Sequence, residues 1–108
     1  MIFKTAFALC LLINIASATH ISGRMDGGCH SASTWEYSNC GCVDIPPSPI
    51  MRSYNIDYNG QTALIYNHKG CNRGGASVAH IGSTQCWSDP RAYAASICID
   101  CGPGYPQC

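Results

Sequence analysis

After its first 18 residues this chain contains no phenylalanine and a single leucine, so it lacks the side chains from which most small domains build a core. Leucine, isoleucine and valine together supply only 11 of the remaining 90 residues. So low a share is typical of disordered chains, which a large net charge keeps expanded. Here five Lys or Arg and six Asp or Glu leave a net charge near −1. Something other than a large apolar core must therefore hold the chain folded.

The chain also lacks a basic excess and a second long apolar run. Without clustered positive charge, both a nucleic-acid partner and a cationic membrane-lytic peptide are disfavoured. No apolar run beyond the amino terminus approaches the roughly 18 residues that a membrane-spanning helix needs. The remaining length leaves room for one domain only. We therefore expect a monomer with a single domain, no nucleic-acid partner and no transmembrane segment.

The amino terminus predicts a secretory signal peptide. Lys4 precedes a short apolar stretch, and small residues occupy positions −3 and −1 of a cleavage site after Ala18. Cys10 leaves with this segment, which turns an odd number of cysteines into an even one. The protein is therefore predicted to be secreted and extracellular. The predicted regions are a signal peptide at 1–18, a flexible N-terminal arm at 19–28 and a disulfide-rich domain at 29–108.

The eight remaining cysteines are the candidate site residues, and they are predicted to form four disulfides. Small secreted chains that cannot build a sufficient core are commonly cross-linked in this way. Cys40-Gly-Cys42 and Cys98-Ile-Asp-Cys101 resemble the spacings of metal sites, but the oxidising secretory route favours disulfides. No metal, cofactor or catalytic residue is therefore predicted. The predicted disulfide cysteines are Cys29, Cys40, Cys42, Cys71, Cys86, Cys98, Cys101 and Cys108.

Alternating apolar and polar residues predict strands. Thr34–Ile45 reads as one strand, with Gly41 allowing a bulge, and Ser53–Tyr58 reads as a second strand or an ordered loop edge. Pro46–Pro49 between them predicts an exposed connection. Ala76–Ile81 is predicted to be a short strand between glycines. No internal repeat is evident in the sequence.

The segment after Asn59 allows two structures. Asn59-Gly60 is a strong signal for a hairpin, whose return strand would be Gln61–Tyr66. Alternatively, Asn59 caps a helix over Gln61–Lys69 that ends at Gly70. Local chemistry slightly favours the hairpin.

The clearest helix signal comes late in the chain. Asp89 is a suitable N-cap, and Pro90 is favourable at the first helical position because its missing N–H costs nothing there. The pattern predicts a helix over Arg91–Ile99, which Gly102 and Pro103 would end.

Four histidines raise the question of catalysis. Together with Glu36 they could supply the acid and base of a small ribonuclease, but nothing in the sequence fixes their spacing, and no nucleophile elbow is present. The chain is therefore predicted not to be an enzyme, unless two histidines, or one histidine and Glu36, lie within about 6–7 Å in one cleft. Arg73-Gly74-Gly75 could cradle an anion but is interpreted as an ordinary loop. The histidines are His20, His30, His68 and His80.

The order of these parts resembles the killer protein six family, small secreted fungal proteins similar to the viral killer protein of smut fungi. The resemblance covers about residues 35–101. The matching parts are Cys40-Gly-Cys42 on an early strand, Gln61–Gly70 as a helix followed by Cys71, the stretch Asn72–Ala76, and Cys86 before a second helix that reaches Cys98.

This resemblance implies an α+β fold: a small disulfide-rich α/β sandwich related to the ferredoxin-like split β-α-β plan, with a helix after Asn59. It also implies a pairing of the cysteines. Cys40 and Cys42 would join Cys71 and Cys86 in some order, Cys29 would join Cys98, and Cys101 would join Cys108.

The function that the resemblance implies is that of a secreted, non-enzymatic fungal virulence effector or killer-toxin-like protein. Its partner would be a protein or the cell surface of a host or a competing microbe. The alternative is a secreted antimicrobial or protease-inhibitor module, for which Ile45–Pro49 would be the exposed inhibitory loop. A small secreted ribonuclease is the third hypothesis.

Overall fold

The computed structural model describes residues 18–72 and 76–108, so the predicted signal peptide falls almost entirely outside the described residues. Eight strands form two four-stranded antiparallel sheets whose inner faces share one core. The order in the first sheet is β2-β1-β4-β7, and in the second it is β3-β8-β5-β6. The strands are β1 (His20–Arg24), β2 (Ser33–Tyr37), β3 (Gly41–Asp44), β4 (Ser53–Asp57), β5 (Thr62–Tyr66), β6 (Ala79–Ile81), β7 (Gln85–Ser88) and β8 (Ser96–Asp100).

Isoleucine dominates the core between the sheets. Seven of the eight isoleucines after Ala18 are buried, and only Ile50 is exposed. Branched side chains of this kind fit the pleated inner face of a sheet, where successive residues alternate between core and outside. Trp35 and Trp87 pack against the edge of this core from the outer strands of the first sheet. The buried cluster consists of Ile21, Ile45, Met51, Tyr54, Ile56, Ala63, Ile65, Ile81, Ile97 and Ile99.

The two halves of the chain, β1 to β4 and β5 to β8, have the same arrangement of strands. Strands β2-β1-β4 are completed by β7 in the first sheet, and strands β6-β5-β8 are completed by β3 in the second. Each half therefore contributes its third strand to the sheet of the other half, which interlocks them. Thr19, just before β1, and Gln61, just before β5, hold equivalent positions in the two halves and are 42 residues apart in the chain. They also contact each other through a hydrogen bond. The structure thus contains an internal repeat that is not evident in the sequence.

Equivalent hydrogen bonds occur within each of the two halves. At the start of β4, the buried Ser53 hydroxyl accepts the backbone N–H of Cys29 at 3.0 Å and donates to a loop carbonyl. At the start of β8, the buried Ser96 hydroxyl accepts the backbone N–H of Cys71 at 2.9 Å and donates to the corresponding carbonyl. Each serine ties the loop between the first two strands of its half to the fourth strand.

The expected α+β, ferredoxin-like fold is wrong. The described residues contain no α-helix, and their one helical element is the short 3-10 turn Lys69–Asn72. The first predicted helix contains β5, and the second ends in β8, which supplies four of its nine residues. The single strand expected over Thr34–Ile45 is divided between β2 and β3, which lie in different sheets. The prediction for Ser53–Tyr58 is confirmed by β4.

The late segment could be misread because its residues satisfy two periodicities. Ala94, Ile97 and Cys98 have helical spacing, but Ile97 and Ile99 also alternate with Ser96 and Cys98. In the structure β8 is hydrogen-bonded to β3 on one side and to β5 on the other. Hydrogen bonds to these two strands satisfy the backbone N–H and C=O groups of the segment, and this pairing overrides the local helix signal.

The flexible N-terminal arm predicted at 19–28 is also wrong. His20–Arg24 forms β1, which pairs with β2 and β4 and is therefore an inner strand. Ile21 and Thr19 are fully buried. The Thr19 hydroxyl donates to the backbone carbonyl of Gln61 at 2.8 Å and accepts the backbone N–H of Asn59 at 2.9 Å. Tertiary pairing, which the polar composition of this segment does not reveal, orders it.

All eight cysteines after Ala18 lie in disulfides, and two of these bonds are equivalent in the duplicated fold. Cys29–Cys86 ties the loop after β1 to β7, and Cys42–Cys71 ties the loop after β5 to β3. Cys42–Cys71 is one of the pairings that the resemblance allowed, whereas the other three bonds differ from it. The four disulfides are Cys29–Cys86, Cys40–Cys101, Cys42–Cys71 and Cys98–Cys108.

We predict that the chain from Thr19 onward contains no free thiol. Its mass should be lower than that of the fully reduced chain by the mass of eight hydrogens, because each of the four disulfides removes two. Mass spectrometry under non-reducing conditions, after denaturation with an alkylating reagent present, measures this difference. Any alkylated cysteine in the unreduced sample would contradict the prediction.

Candidate functional site

Four loops meet at one end of the sandwich, which we call the loop end. They are the β1–β2 loop (25–32), the β3–β4 loop (45–52), the β5–β6 loop (67–78, described apart from 73–75) and the β7–β8 loop (89–95). Backbone hydrogen bonds join them across the two sheets: the N–H of Ile45 donates to Ala95, and the N–H of Asp89 donates to Arg52. The loop end is therefore one continuous surface assembled from both halves of the chain.

A cleft of about 390 Å³ opens between the β3–β4 and β7–β8 loops. Its wall is mostly apolar, and buried Ile45, Met51 and Tyr54 are among its lining residues. Burial, together with the nearby charge of Asp89, raises the pKa of the Tyr54 phenol, so this residue stays neutral. The remaining lining residues are Pro46, Pro47, Ile50, Lys69, Arg91, Ala92, Ala94 and Ala95.

The β3–β4 loop contains the proline-rich stretch that the sequence singled out. Ile45 and Met51 anchor its two ends in the core, whereas Pro47–Ile50 is exposed. This exposure is what an inhibitory loop at Ile45–Pro49 would require. The side chain of Ile50 is 56% exposed, and it is the only such isoleucine after Ala18. An exposed isoleucine, in a protein whose other described isoleucines form the core, is a candidate contact for a binding partner.

The β7–β8 loop is fixed by Asp89, which the sequence predicted as a helix cap. Its carboxylate, in a residue only 6% exposed, accepts the backbone N–H groups of Tyr93 at 3.0 Å and Ala94 at 2.9 Å. Arg52 donates to the carbonyl of Pro90 at 2.6 Å. The prediction of a helix N-cap at Asp89 is therefore wrong: its carboxylate accepts N–H groups four and five residues further along the chain, and it organises a loop. The loop presents Tyr93 with 64% of its surface exposed.

Replacing Asp89 with alanine is predicted to lower the free energy of unfolding by about 1.5–3 kcal/mol, because buried hydrogen bonds to a charged acceptor are lost. Asp89→Asn is the matched variant: it keeps one acceptor oxygen and should cost less. Denaturant titration of oxidised protein measures both. Equal stability of the wild type and Asp89→Ala would contradict this role of the carboxylate.

Exposed apolar side chains are concentrated at the loop end. Five large apolar residues among those that the structure describes are strongly exposed, and four of them lie one in each of the four loops. The fifth, Tyr105, lies in the C-terminal segment. Exposed apolar groups gathered on one surface are typical of an interaction site. The four are Met25 at 52%, Ile50 at 56%, Val78 at 50% and Tyr93 at 64%.

Positive charge is concentrated at the same end. All four Lys and Arg residues that the structure describes after residue 18 lie in these loops or beside them. Arg24 donates to the carbonyl of Ser31, and Arg52 is bonded to the neighbouring loop as described above. Lys69 and Arg91, at the rim of the cleft, make no hydrogen bond or ion pair with any described residue. Their charges are available to a ligand.

Three carboxylates lie near these cations, but each is engaged in holding a loop. Asp26 accepts the hydroxyl and backbone N–H of Ser31 and the backbone N–H of His30, which hold the pKa of its carboxyl well below its usual range. Asp44 accepts the backbone N–H of Gly70 at 2.7 Å, and Asp89 is bonded as described above. The remaining acidic residues, Glu36, Asp57 and Asp100, lie on the strands away from the loop end.

One of the four histidines considered for the ribonuclease hypothesis lies beside Glu36. His20 Nε2 lies 2.8 Å from Glu36 Oε1, within the distance that the ribonuclease hypothesis required. Both side chains are exposed on the outer face of the first sheet, however, and neither lines the cleft. His68 is bonded to its neighbour Asn67, and His80 is exposed on β6. The structure therefore brings one histidine and one carboxylate together, outside the described cleft between the loops.

Two other sequence hypotheses concern bound ions. The possible anion loop at 73–75 lies outside the described residues. Within the described ranges, no group of three or more His, Cys, Asp or Glu residues could hold a metal ion. Those ranges also contain no helix that is long and apolar enough to cross a membrane.

Comparisons with known proteins agree on one family. The MiAMP1 family model matches residues 21–101. Antimicrobial peptide 1 of Macadamia integrifolia is 35% identical over 74 residues, which cover 68% of this chain and 66% of that protein, just under two thirds of its length. The solution structure of MiAMP1, a plant antimicrobial protein, matches 76% of this chain and 99% of its own with 31% identity and a TM-score of 0.58.

These matches overturn the resemblance to the killer protein six family. That resemblance depended on cysteine spacings and on helices at Gln61–Gly70 and after Cys86. The helices are absent, and the matched family covers β1 to β8. Cysteine spacing misled because different folds of small secreted proteins can place disulfides at similar intervals along the chain.

Proposed function

The chain belongs to the MiAMP1 family, and from this membership we propose that it is a secreted, non-enzymatic antimicrobial protein that acts on microbial cells from outside. The observation that carries the proposal is the family match over 21–101, together with a relative and a solved structure that are both described as antimicrobial. This was the alternative hypothesis from the sequence, and it replaces the fungal effector or killer toxin.

The structure offers features that suit this function. Four disulfides fix a small sandwich, and such cross-links persist in the oxidising environment outside cells. Exposed apolar side chains and available positive charges share the loop end, where a cell-surface target could bind.

Growth inhibition tests the proposal directly. Oxidised mature protein, beginning at Thr19, is added to liquid cultures of a panel of fungi and bacteria, and growth is followed by turbidity. We expect inhibition of at least one fungal or bacterial culture at a concentration that leaves cultured plant cells unaffected. The matched control is the same protein after complete reduction and alkylation, which has the same composition but lacks the cross-linked fold. No inhibition in any culture of the panel would contradict the proposal.

Secretion is the second part of the proposal. Cleavage after Ala18 would leave Thr19 as the first residue, and its backbone nitrogen already donates to the Gln61 side chain at 2.8 Å. A free α-amino group at this position would remain a donor, so this hydrogen bond is compatible with the cut. Expression of the full sequence in a secreting host, followed by N-terminal sequencing of the protein in the medium, should give Thr19 as the first residue.

A further inference from the structure

We infer that the loop end is a docking surface for membranes that contain anionic phospholipid, with Lys69 and Arg91 contacting the phosphate groups and Ile50 and Tyr93 entering the lipid interface. This inference rests on the proposed function and names the target of its candidate site. It is carried by the coincidence, at one end of the molecule, of available cations and exposed apolar side chains.

The first step concerns charge. The whole chain after Ala18 is close to neutral, which argues against nonspecific attraction to an anionic surface. Its charges are segregated, however: the described cations lie at the loop end, and three of the six carboxylates lie away from it. The three nearby carboxylates accept loop N–H groups, whereas Lys69 and Arg91 have no described partner. The described residues of the loop end therefore carry four cations and three carboxylates, a net charge near +1, and Lys69 and Arg91 are the cations whose side chains have no described partner to displace.

The second step concerns the apolar residues. An isoleucine and a tyrosine, each more than half exposed, lie in neighbouring loops on the two sides of the cleft. Tyrosine is favoured at membrane interfaces because its ring is apolar and its hydroxyl is polar. Lys and Arg are suited to the same depth, since their stems pack on apolar material while their charged ends remain in water. This combination of side chains favours binding to a lipid interface over binding to a small ligand dissolved in water.

The third step concerns rigidity. Ile50 projects from a loop whose ends, Ile45 and Met51, are buried, and Tyr93 projects from a loop that the Asp89 carboxylate holds. Because these loops are already ordered, presenting the two side chains to a bilayer requires little further loss of conformational entropy. The cleft between them adds an apolar recess of about 390 Å³ beside the two cations. A single face therefore offers both contacts that an anionic phospholipid makes.

The test is sedimentation of oxidised mature protein with lipid vesicles. Vesicles of phosphatidylcholine containing phosphatidylglycerol are compared with vesicles of phosphatidylcholine alone. We expect binding to the anionic vesicles only, weakened by added salt. Lys69→Gln and Arg91→Gln should each weaken that binding about fivefold, which corresponds to about 1 kcal/mol per cation near an anionic surface. Ile50→Ser and Tyr93→Ser should also weaken it.

Two matched variants separate the loop end from the rest of the surface. Tyr105→Ser removes an exposed tyrosine elsewhere and should leave vesicle binding unchanged. Asp57→Asn changes the net charge at an exposed position on β4 away from the loop end, and it should alter binding much less than Lys69→Gln. Circular dichroism of each variant checks that the fold is intact.

Several outcomes would overturn the inference. Equal binding to both kinds of vesicle would show that the net negative charge of the lipid plays no role. Full competition by glycerol phosphate at low concentration would show a site for a soluble phosphate rather than for a membrane. Growth inhibition by a protein that binds neither kind of vesicle would overturn docking and leave the antimicrobial proposal standing. Vesicle binding without any growth inhibition would instead count against the antimicrobial function.

Discussion

Reduction of all four disulfides is expected to abolish the cooperative unfolding transition of this protein. The chain-entropy model assigns about 3–4 kcal/mol to each cross-link of this kind. The net stability of a small domain is only about 5–15 kcal/mol, so the four bonds together can account for all of it. The core that would remain consists mainly of seven isoleucines and has no phenylalanine. We expect such a core to be too small to order the chain without the cross-links.

Thermal denaturation followed by circular dichroism, with and without reductant, measures this effect. Limited proteolysis at room temperature provides an independent measure, because an unfolded chain is cleaved throughout. A reduced protein that still unfolds cooperatively near the midpoint of the oxidised form would show that the isoleucine core is sufficient, and the prediction would be wrong. The alkylated form prevents reoxidation during the experiment and is the appropriate reduced sample.

Removal of individual disulfides should lower the stability by different amounts. Replacing Cys40 and Cys101 with alanine opens a loop with a sequence separation of 61, whereas replacing Cys98 and Cys108 opens one of 10. The same model gives about 4 kcal/mol for the first pair and about 3 kcal/mol for the second. The C-terminal pair is therefore the better candidate for a variant that remains folded.

Local sequence patterns predicted individual strands better than they predicted the pairing of strands. The alternation in Ser53–Tyr58 was sufficient to identify β4. Asn59-Gly60 correctly marked a turn, and Gln61–Tyr66 correctly marked a strand, but β4 and β5 lie in different sheets and do not form a hairpin. The turn crosses between sheets, and the Thr19 side chain holds both Asn59 and Gln61 there. A contact with a residue about 40 positions away in the chain is not visible in a short sequence window.

The candidate site could not be predicted for a similar reason. Ile50, Lys69 and Arg91 share no sequence motif, and they line one cleft because the strand order brings alternate loops to one end, where the exposed Tyr93 also lies. The exposure of Ile50 is informative only once the other isoleucines are known to be buried. The cysteines show the same limit: their number indicated four bonds, but the exchange of third strands between the halves decides which cysteines meet.

The duplicated fold also predicts that two single hydroxyl groups have large and matching effects on stability. Ser53 and Ser96 occupy equivalent positions at the start of β4 and β8, and both are fully buried. Each hydroxyl accepts the backbone N–H of a cysteine and donates to a loop carbonyl.

Replacing Ser96 with alanine is expected to lower the free energy of unfolding by about 2–5 kcal/mol, since two polar groups are left without partners at about 1–3 kcal/mol each. Ser53→Ala should have a similar but smaller effect, because the N–H of Cys71 is buried whereas that of Cys29 is only partly so. Ser38→Ala, at an exposed position between β2 and β3, is the control and should change little. Denaturant titration of the three oxidised variants gives the values. A cost for Ser96→Ala no larger than for Ser38→Ala would mean that water or a backbone shift replaces the lost hydroxyl, and that these serines do not hold the two halves of the fold.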